Sequence, residues 1–379
     1  MFESQAIIDV LLAVTTLGPG GTEYYVENLA VQLKRRGVGV AVLADSEPAI
    51  RRRSLESEGV STHILGVDSS WSRQKYKRMV DSFLRHTRVR LIHTNMWMRE
   101  DWLREVANDH DIPAIGTVHA TIPPIRLRDR LGVNRVPFYL YRRRAILRKG
   151  LTATICISDL SLKHFIERYG SAAKVTRVYC GGPGSDIQSD PKARGTAPRI
   201  VWLGSMIPRK RPLLALKVFG HIHRIFPECT LLMIGEGELL PRAREVGATF
   251  PPGVVEFAGY VDDIFPHLAA GQVLLHTSAI EGTPTTVREA MSASLPVVAT
   301  NAGAMNEIVI HGKTGLIAPV DDPKALASAL ATLAADPELR VRYGKAGRTH
   351  FEERFGLSRM IDETIRAYKI LSGVNLMEH

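Results

Sequence analysis

Short apolar runs rich in β-branched residues alternate with helix-length segments along nearly the whole chain, and this alternation stops once and then restarts. The first block holds Ile7–Val14, Val38–Leu43, Leu91–Thr94, Ala114–Val118 and Ala153–Ile157. Each run is short and bounded by Gly, Pro or polar residues, which predicts strands. Between the first two lies Thr22–Arg36, with Val26, Leu29, Ala30 and Leu33 at helical spacing and Gly37 as its stop. The alternation then breaks over Cys180–Arg199, where Gly, Pro, Ser and charged residues dominate and an interdomain linker is predicted. It resumes with Ile200–Leu203, Thr230–Ile234, Val254–Phe257, Val273–His276, Pro296–Ala299 and Gly315–Ala318, and the tail Phe351–Leu371 reads as terminal helices. Strand–helix alternation gives parallel sheets covered on both faces. The expected fold is therefore α/β: two Rossmann-like doubly wound domains, residues 1–185 and 186–352, with a cleft between them. Ligands of such sheets bind outside the carboxyl ends of the strands, so the chemistry is sought there.

Composition narrows the setting. In a chain of 379 residues, 45% hydrophobic and 23% charged residues exclude a disordered or collagen-like protein. The longest apolar runs fall far short of the ~20 residues a membrane span needs. Ile7–Val14 follows an acidic N-terminus and contains Asp9, which makes a poor signal peptide. Cys156, Cys180 and Cys229 are too scattered for a disulfide framework or a zinc site, so a cytoplasmic setting is expected. The net charge of +10 is uneven: Arg126–Lys149 holds nine basic residues and one acid, interleaved with Phe138, Tyr139 and Tyr141. Such a stretch suits either a solvated helix face or an anionic membrane surface, which would make the protein peripheral on the inner face of the membrane. Nucleic acid is the less favoured partner.

The densest cluster of candidate residues follows the strand Val273–His276, in Ser278–Met291. Thr283 suits an N-cap and Pro284 the first helical position, which would leave the amides of Thr285 and Thr286 free to bind phosphate. Glu281 lies before this helix and Glu289 inside it, so two carboxylates could reach the hydroxyl groups of one ligand. The same pattern also fits a plain βα loop with solvated acids. Gly20 and Gly21 follow the first strand and would let backbone approach a phosphate or an acceptor, or form an ordinary turn. The dinucleotide fingerprint is incomplete at Gly18–Glu23 and at Gly235–Leu240, which argues against a dehydrogenase. Asp109-His110-Asp111 has the form of a metal-binding D-x-D but does not close a strand, and no metal or other cofactor is expected.

Glu281 and Glu289, with seven residues between them and followed by Ala290-Met291, resemble the E-x7-E signature of the family 4 retaining glycosyltransferases. Pro296-Val-Val-Ala-Thr, Gly303, Glu307-Ile-Val, Gly312-Lys-Thr-Gly-Leu, Gly235-Glu-Gly237 and Gly18-Pro-Gly-Gly-Thr-Glu match that family in order and spacing. The resemblance implies a GT-B fold in which the second domain holds most of a nucleotide-sugar donor and the last helix, within 353–379, crosses back to the first domain. It implies that Glu289 hydrogen-bonds the donor ribose, that Glu281 contacts the transferred sugar and that Lys210 neutralises the diphosphate. Gly282 and Thr283 would sit in the same donor loop. The family has Arg directly after Gly204, where this chain has Ser205, so either Arg209 supplies that charge or the diphosphate is held with less. His119 closes the strand Ala114–Val118 where the family has its histidine, and is expected to touch donor sugar or phosphate and to shape the acceptor site. His93, Asn95 and Ser158-Asp159 also end strands and are weaker candidates for the acceptor side.

The activity so implied is transfer of a sugar, with retention, from a nucleoside-diphosphate donor, by frequency a UDP-sugar, to an unidentified acceptor hydroxyl. The alternatives are a GT-B protein that only binds sugar nucleotides, motivated by Ser205, and a sugar-nucleotide epimerase.

Overall fold

The computed structural model describes residues 7–18, 20–68, 70–96, 99–119, 153–170, 174–193, 195 and 197–376. Contacts divide the chain into two units, Met1–Gly181 together with Leu357–His379, and Gly182–Gly356. Among the described residues the first unit has a seven-stranded parallel sheet. Its order is Ser61–Ile64, Val40–Ala44, Val10–Val14, Ile92–Thr94, Ala114–Val118, Ala153–Cys156, Lys174–Arg177. The second has six parallel strands in the order Val255–Gly259, Thr230–Ile234, Arg199–Leu203, Val273–His276, Val297–Thr300, Gly315–Ala318. Numbered along the chain, the six read 3-2-1-4-5-6, and the strand order reverses between Arg199–Leu203 and Val273–His276. A crevice opens at the carboxyl end of such a reversal.

The core strands are buried on both faces, which is why they read as unbroken apolar runs rather than alternating ones. Val10–Val14 and Val40–Ala44 are buried at every position. The run Ile7–Val14 is two strands, not one. Asp9 interrupts it by accepting the Gly39 amide (2.8 Å) and an Arg90 guanidinium bond (2.8 Å), and Ile7–Ile8 pairs with Arg88–Val89 instead. Ser61–Ile64 and Lys174–Arg177 went unread in the sequence. Both are edge strands with polar residues, and neither carries a long apolar signal.

The predicted linker is not a loose tether. The unit boundary falls at Gly181, and the following stretch is fastened to the second unit. Ser189 donates its amide to Ala293 O (2.8 Å), and the buried Arg340 donates to Pro191 O (2.7 Å) and to Gly195 O. The terminal helices are Pro337–Arg354, which begins well before the predicted Phe351, and Leu357–Ser372. The second packs on the first unit: Met360, Ile361, Ala367, Tyr368 and Leu371 join the same apolar cluster as Val10, Leu12, Val26 and Leu29.

Candidate active site

In the second unit the two strands at the reversal point each end in a loop that carries candidate residues. Arg199–Leu203 leads through Gly204–Ile207 into a short 3-10 turn, Pro208–Lys210, and then into the helix Pro212–Ile225. The Gly204–Met206 backbone lies directly against the loop after Thr230–Ile234. A Cβ on Gly235 would meet Gly204 O at 2.1 Å and one on Gly237 would meet Met206 O at 2.7 Å. Both glycines also hold left-handed φ values of +125° and +148°. The G-E-G motif is therefore a packing requirement that fixes the Lys210 loop.

Val273–His276 leads into the loop that carries Glu281, and this loop is pinned to the Lys210 turn. Thr277 Oγ1 donates toward Lys210 O (2.8 Å) and Arg211 O (3.0 Å), and accepts from Trp202 Nε1 (2.9 Å). The Ala279 amide donates to Arg209 O at 2.9 Å. From the other side Thr300 Oγ1 donates to Ser278 O (2.6 Å), and the Ala304 amide donates to Gly282 O (3.2 Å). Gly303, at φ +61°, lets this support come close: its Cβ would stand 1.9 Å from Glu281 O.

This scaffold brings Glu281, Lys210 and Arg209 together. Lys210 Nζ donates to Glu281 Oε1 at 2.5 Å, Arg209 Nη1 lies 3.4 Å from Oε2, and Arg209 Nη1 also donates to Ile280 O at 3.2 Å. Glu281 and Lys210 are largely buried, with side chains 5% and 16% exposed, while Arg209 is 47% exposed. Burial alone would push the Glu281 carboxyl up. The hydrogen-bonding contact with His276 and the charge of the Lys210 ammonium together outweigh it and hold the group well below the usual carboxylate range. Ser205 is exposed on the surface of its loop.

The helix after the Glu281 loop starts one residue later than predicted. It spans Thr285–Ser292, with Pro284 as N-cap at ψ 123° and no side-chain cap. Pro284 precedes the helix rather than beginning it, so Thr283 lies outside. Thr285 and Thr286 occupy the first two helical positions, and their amides meet no acceptor among the described residues. Glu289 lies on this helix, partly buried. Burial pushes its carboxyl up to about 7, Arg288 opposing only in part, and the carboxyl makes no hydrogen bond among the described residues.

His276 was missed in the sequence. It is buried (4% exposed), and its Nε2 lies 3.4 Å from Glu281 Oε1 and 3.3 Å from Ser278 Oγ. Burial holds its pKa below the ordinary histidine value despite the neighbouring carboxylate. The available signal was a lone polar residue closing the otherwise apolar strand Val273–His276, immediately before the Glu281 loop.

In the first unit Gly20 is the N-cap of the helix Gly21–Arg35. Glu23 folds back over this start, so that a Cβ on Gly20 would lie 2.2 Å from its carboxylate, and Thr16 Oγ1 donates to Glu23 at 3.2 Å. An acid in the first turn complements the positive end of the helix dipole, and here it lies where a phosphate would approach. His119 Nε2 bonds Asn95 Oδ1 at 2.8 Å, its ring meets Tyr25 edge-on at 4.9 Å, and burial pushes its pKa down to about 4. It is therefore neutral near pH 7.

Two weaker candidates serve the fold instead. His93 is fully buried, with Nδ1 against Tyr368 Oη (2.7 Å) and Nε2 against Thr117 Oγ1 (2.6 Å), so neither nitrogen is left for an acceptor. Ser158 caps the helix Asp159–Tyr169, and Asp159 takes Arg177 Nε (2.7 Å) and Tyr179 Oη (2.6 Å). Asp109 pairs with Lys77 at 3.3 Å at the end of its helix, and Asp111 turns at φ 54°. Among the described residues no cluster of three His, Cys, Asp or Glu is placed to hold a metal ion, and no helix is long and apolar enough to cross a membrane. The basic stretch Arg126–Lys149 lies outside the described residues.

Comparison with known proteins matches both halves of the chain. The model described as "Glycosyltransferase Family 4" matches residues 19–181, and "Glycosyl transferases group 1" matches 197–336. A phosphatidyl-myo-inositol mannosyltransferase of Mycobacterium leprae is 26% identical, over 93% of this chain and 94% of its own. A GDP-mannose-dependent alpha-(1-6)-phosphatidylinositol monomannoside mannosyltransferase of Mycobacterium tuberculosis is 27% identical, over 54% of this chain and 59% of its own. Among solved structures, Anabaena HepE in complex with UDP and glucose superposes with a TM-score of 0.78 at 18% identity, covering 96% of this chain and 99% of that one.

Proposed function

We infer the reaction from one premise: this chain belongs to family 4 of the glycosyltransferases and is a transferase of the GT-B fold. We propose that it transfers a sugar, with retention of anomeric configuration, from a nucleoside-diphosphate donor to an acceptor hydroxyl. The observation that carries this reading is the Lys210–Glu281 pair at the sheet reversal, with Glu281 in the loop that leads into the open helix start of Thr285 and Thr286. As the bond from the sugar C1 to the diphosphate breaks, negative charge grows on the leaving phosphate. Lys210 and the two amides are the groups suited to stabilise it, each such donor contributing about 2.7–4 kcal/mol. Glu281 would orient the sugar hydroxyls and Glu289 the ribose. No side chain of the site needs to act as nucleophile: the acceptor oxygen bonds to C1 on the face the diphosphate leaves, and its proton passes to a phosphate oxygen. Arg209, exposed and beside Glu281, is the candidate to supply the charge that Ser205 lacks. His119, neutral and held by Asn95, is suited to hydrogen-bond sugar hydroxyls rather than to carry charge.

The donor is proposed to be a UDP-sugar, and the GDP-mannose-dependent relative makes GDP-mannose the donor to test against it. Calorimetry with UDP and GDP, followed by NMR of the transfer product from each sugar nucleotide, tests the reading. An axial-to-axial or equatorial-to-equatorial outcome supports retention. Inversion, conversion of the donor without any acceptor, or no turnover with any acceptor would refute it. The membrane reading of Arg126–Lys149 predicts salt-sensitive binding to anionic vesicles, lost on neutralising Arg142, Arg143 and Arg144.

A further inference from the structure

His276 has no role in the reading above, yet it is a buried polar group 3.4 Å from the carboxylate of the Glu281–Lys210 pair. The ring is neutral near pH 7, and a neutral imidazole carries one N–H. Nδ1 is buried and has no hydrogen-bond partner among the described residues, whereas Nε2 faces Glu281 Oε1 at 3.4 Å and Ser278 Oγ at 3.3 Å. A proton on Nδ1 would be unsatisfied and would turn a bare lone pair toward a carboxylate. A proton on Nε2 points at two oxygens. The arrangement therefore selects the Nε2–H tautomer, and it puts two donors, Lys210 and His276, on the same oxygen of Glu281, with Arg209 on the other.

This bears on how one lysine can serve two anions. Glu281 is 5% exposed, and a buried carboxylate stripped of donors is costly. Any diphosphate that engages Lys210 draws it from Glu281. We propose that His276 is a positioning residue that stays on Oε1 of Glu281, so that the carboxylate keeps its orientation and a hydrogen bond when a donor diphosphate recruits Lys210. The proposal rests on the diphosphate role of Lys210 given above. Among the described residues the charged neighbours of the ring are Glu281, Lys210 and Arg209.

Three substitutions separate positioning from packing. In His276→Gln the amide nitrogen reaches about as far as Nε2, in His276→Asn only about as far as Nδ1, and His276→Leu keeps the bulk without a donor. Calorimetry with UDP and GDP on the full chain should show His276→Leu and His276→Asn binding about tenfold more weakly than wild type, with His276→Gln within about threefold. In turnover, His276→Leu should lower kcat as well as raise the donor KM, because Glu281 loses its orientation. Equal binding by wild type and His276→Leu, or no advantage of Gln over Asn, would overturn the proposal.

A ligand-free measurement stands beside these. Long-range proton–nitrogen NMR of histidine-labelled protein at pH 7.5, assigned by difference from His276→Gln, should show the Nε2–H tautomer, with ring shifts that move in Glu281→Gln. An Nδ1–H or charged ring, or a spectrum blind to Glu281→Gln, would overturn the positioning role. If wild type bound neither nucleotide, the donor reading would fall, and the ring spectrum alone would decide the contact between His276 and Glu281.

Discussion

Lys210→Met tests the charge arrangement most directly, because the substitution keeps the aliphatic stem and removes only the ammonium. Lys210 Nζ and Glu281 Oε1 are 2.5 Å apart, with side chains 16% and 5% exposed. Removing one partner of a buried ion pair costs about 3–5 kcal/mol, because the other charge is left behind. His276 and Arg209, each at 3.4 Å, remain to share the carboxylate, which brings the expectation down to about 2 kcal/mol. At roughly 2–4 °C per kcal/mol for a body of this size, the melting temperature should fall by about 4–8 °C. Glu281→Gln in the same background removes the stranded charge, so the double variant should recover much of that loss, with a coupling of about 1–2 kcal/mol in a thermal or denaturant double-mutant cycle. Turnover should respond differently: Lys210→Met is expected to lose about 100-fold or more in kcat, as for one donor to a developing anion, and Glu281→Gln should not restore it. Additivity within about 0.5 kcal/mol would show that the pair is not coupled, and a rate change under about threefold would place the diphosphate elsewhere.

Glu281→Ala should abolish turnover, whereas Glu289→Ala should mainly weaken nucleotide binding; wild-type kinetics in both would end the assignment of these acids. The Glu289 carboxyl, raised to about 7, is disfavoured as an anion in the folded protein, so stability should fall as pH rises from the ordinary glutamate range through about 7. Glu289→Gln should be more stable than wild type at pH 8 and indistinguishable at pH 4.5, and if the ionised form accepts the ribose hydroxyls, the wild-type donor KM should rise below about pH 7. Gly303→Ala places a Cβ 1.9 Å from Glu281 O at a left-handed φ, so it should cost at least about 2 kcal/mol in chemical denaturation and displace the Glu281 loop. An unchanged midpoint would show that the loop is not held there.

Much of the Glu281 loop was legible because its candidate residues are local in the chain. Glu281, Glu289 and the threonines sit within a dozen residues, and the strand ahead of them is an apolar run of clear length. The helix start slipped by one because Pro284 fits two positions: its φ of −63° suits a first helical residue, and its ψ of 123° makes it the residue before one. Partnerships between distant segments were not legible. Nothing in the spacing of Lys210, His276 and Glu281 shows that Thr277 and Ala279 tie the two loops together, nor that His276 reaches Glu281. His93 and His119 look alike in sequence, each at a strand end. Only the structure separates a ring bonded through both nitrogens to Tyr368 and Thr117 from one bonded through a single nitrogen to Asn95. The two edge strands of the seven-stranded sheet, Ser61–Ile64 and Lys174–Arg177, were missed for a related reason, since pairing on one side only leaves polar residues free to stay.

The return of Leu357–Ser372 to the first unit has a consequence for how the molecule is made. His93, in the middle of the first sheet, bonds to Tyr368, and Met360 to Leu371 complete an apolar layer begun by Val10 and Val26. Synthesis delivers residues 1–181 first, but this body lacks part of its interior until Leu357–Ser372 has been made. The stretch Gly182–Gly356, continuous in the chain, can close its own core earlier. The later-synthesised half is thus free to be native before the earlier one. A chain truncated after residue 356 and released from the ribosome should accordingly resist protease over Gly182–Gly356 and be cut readily within the first 181 residues, although those residues were made sooner.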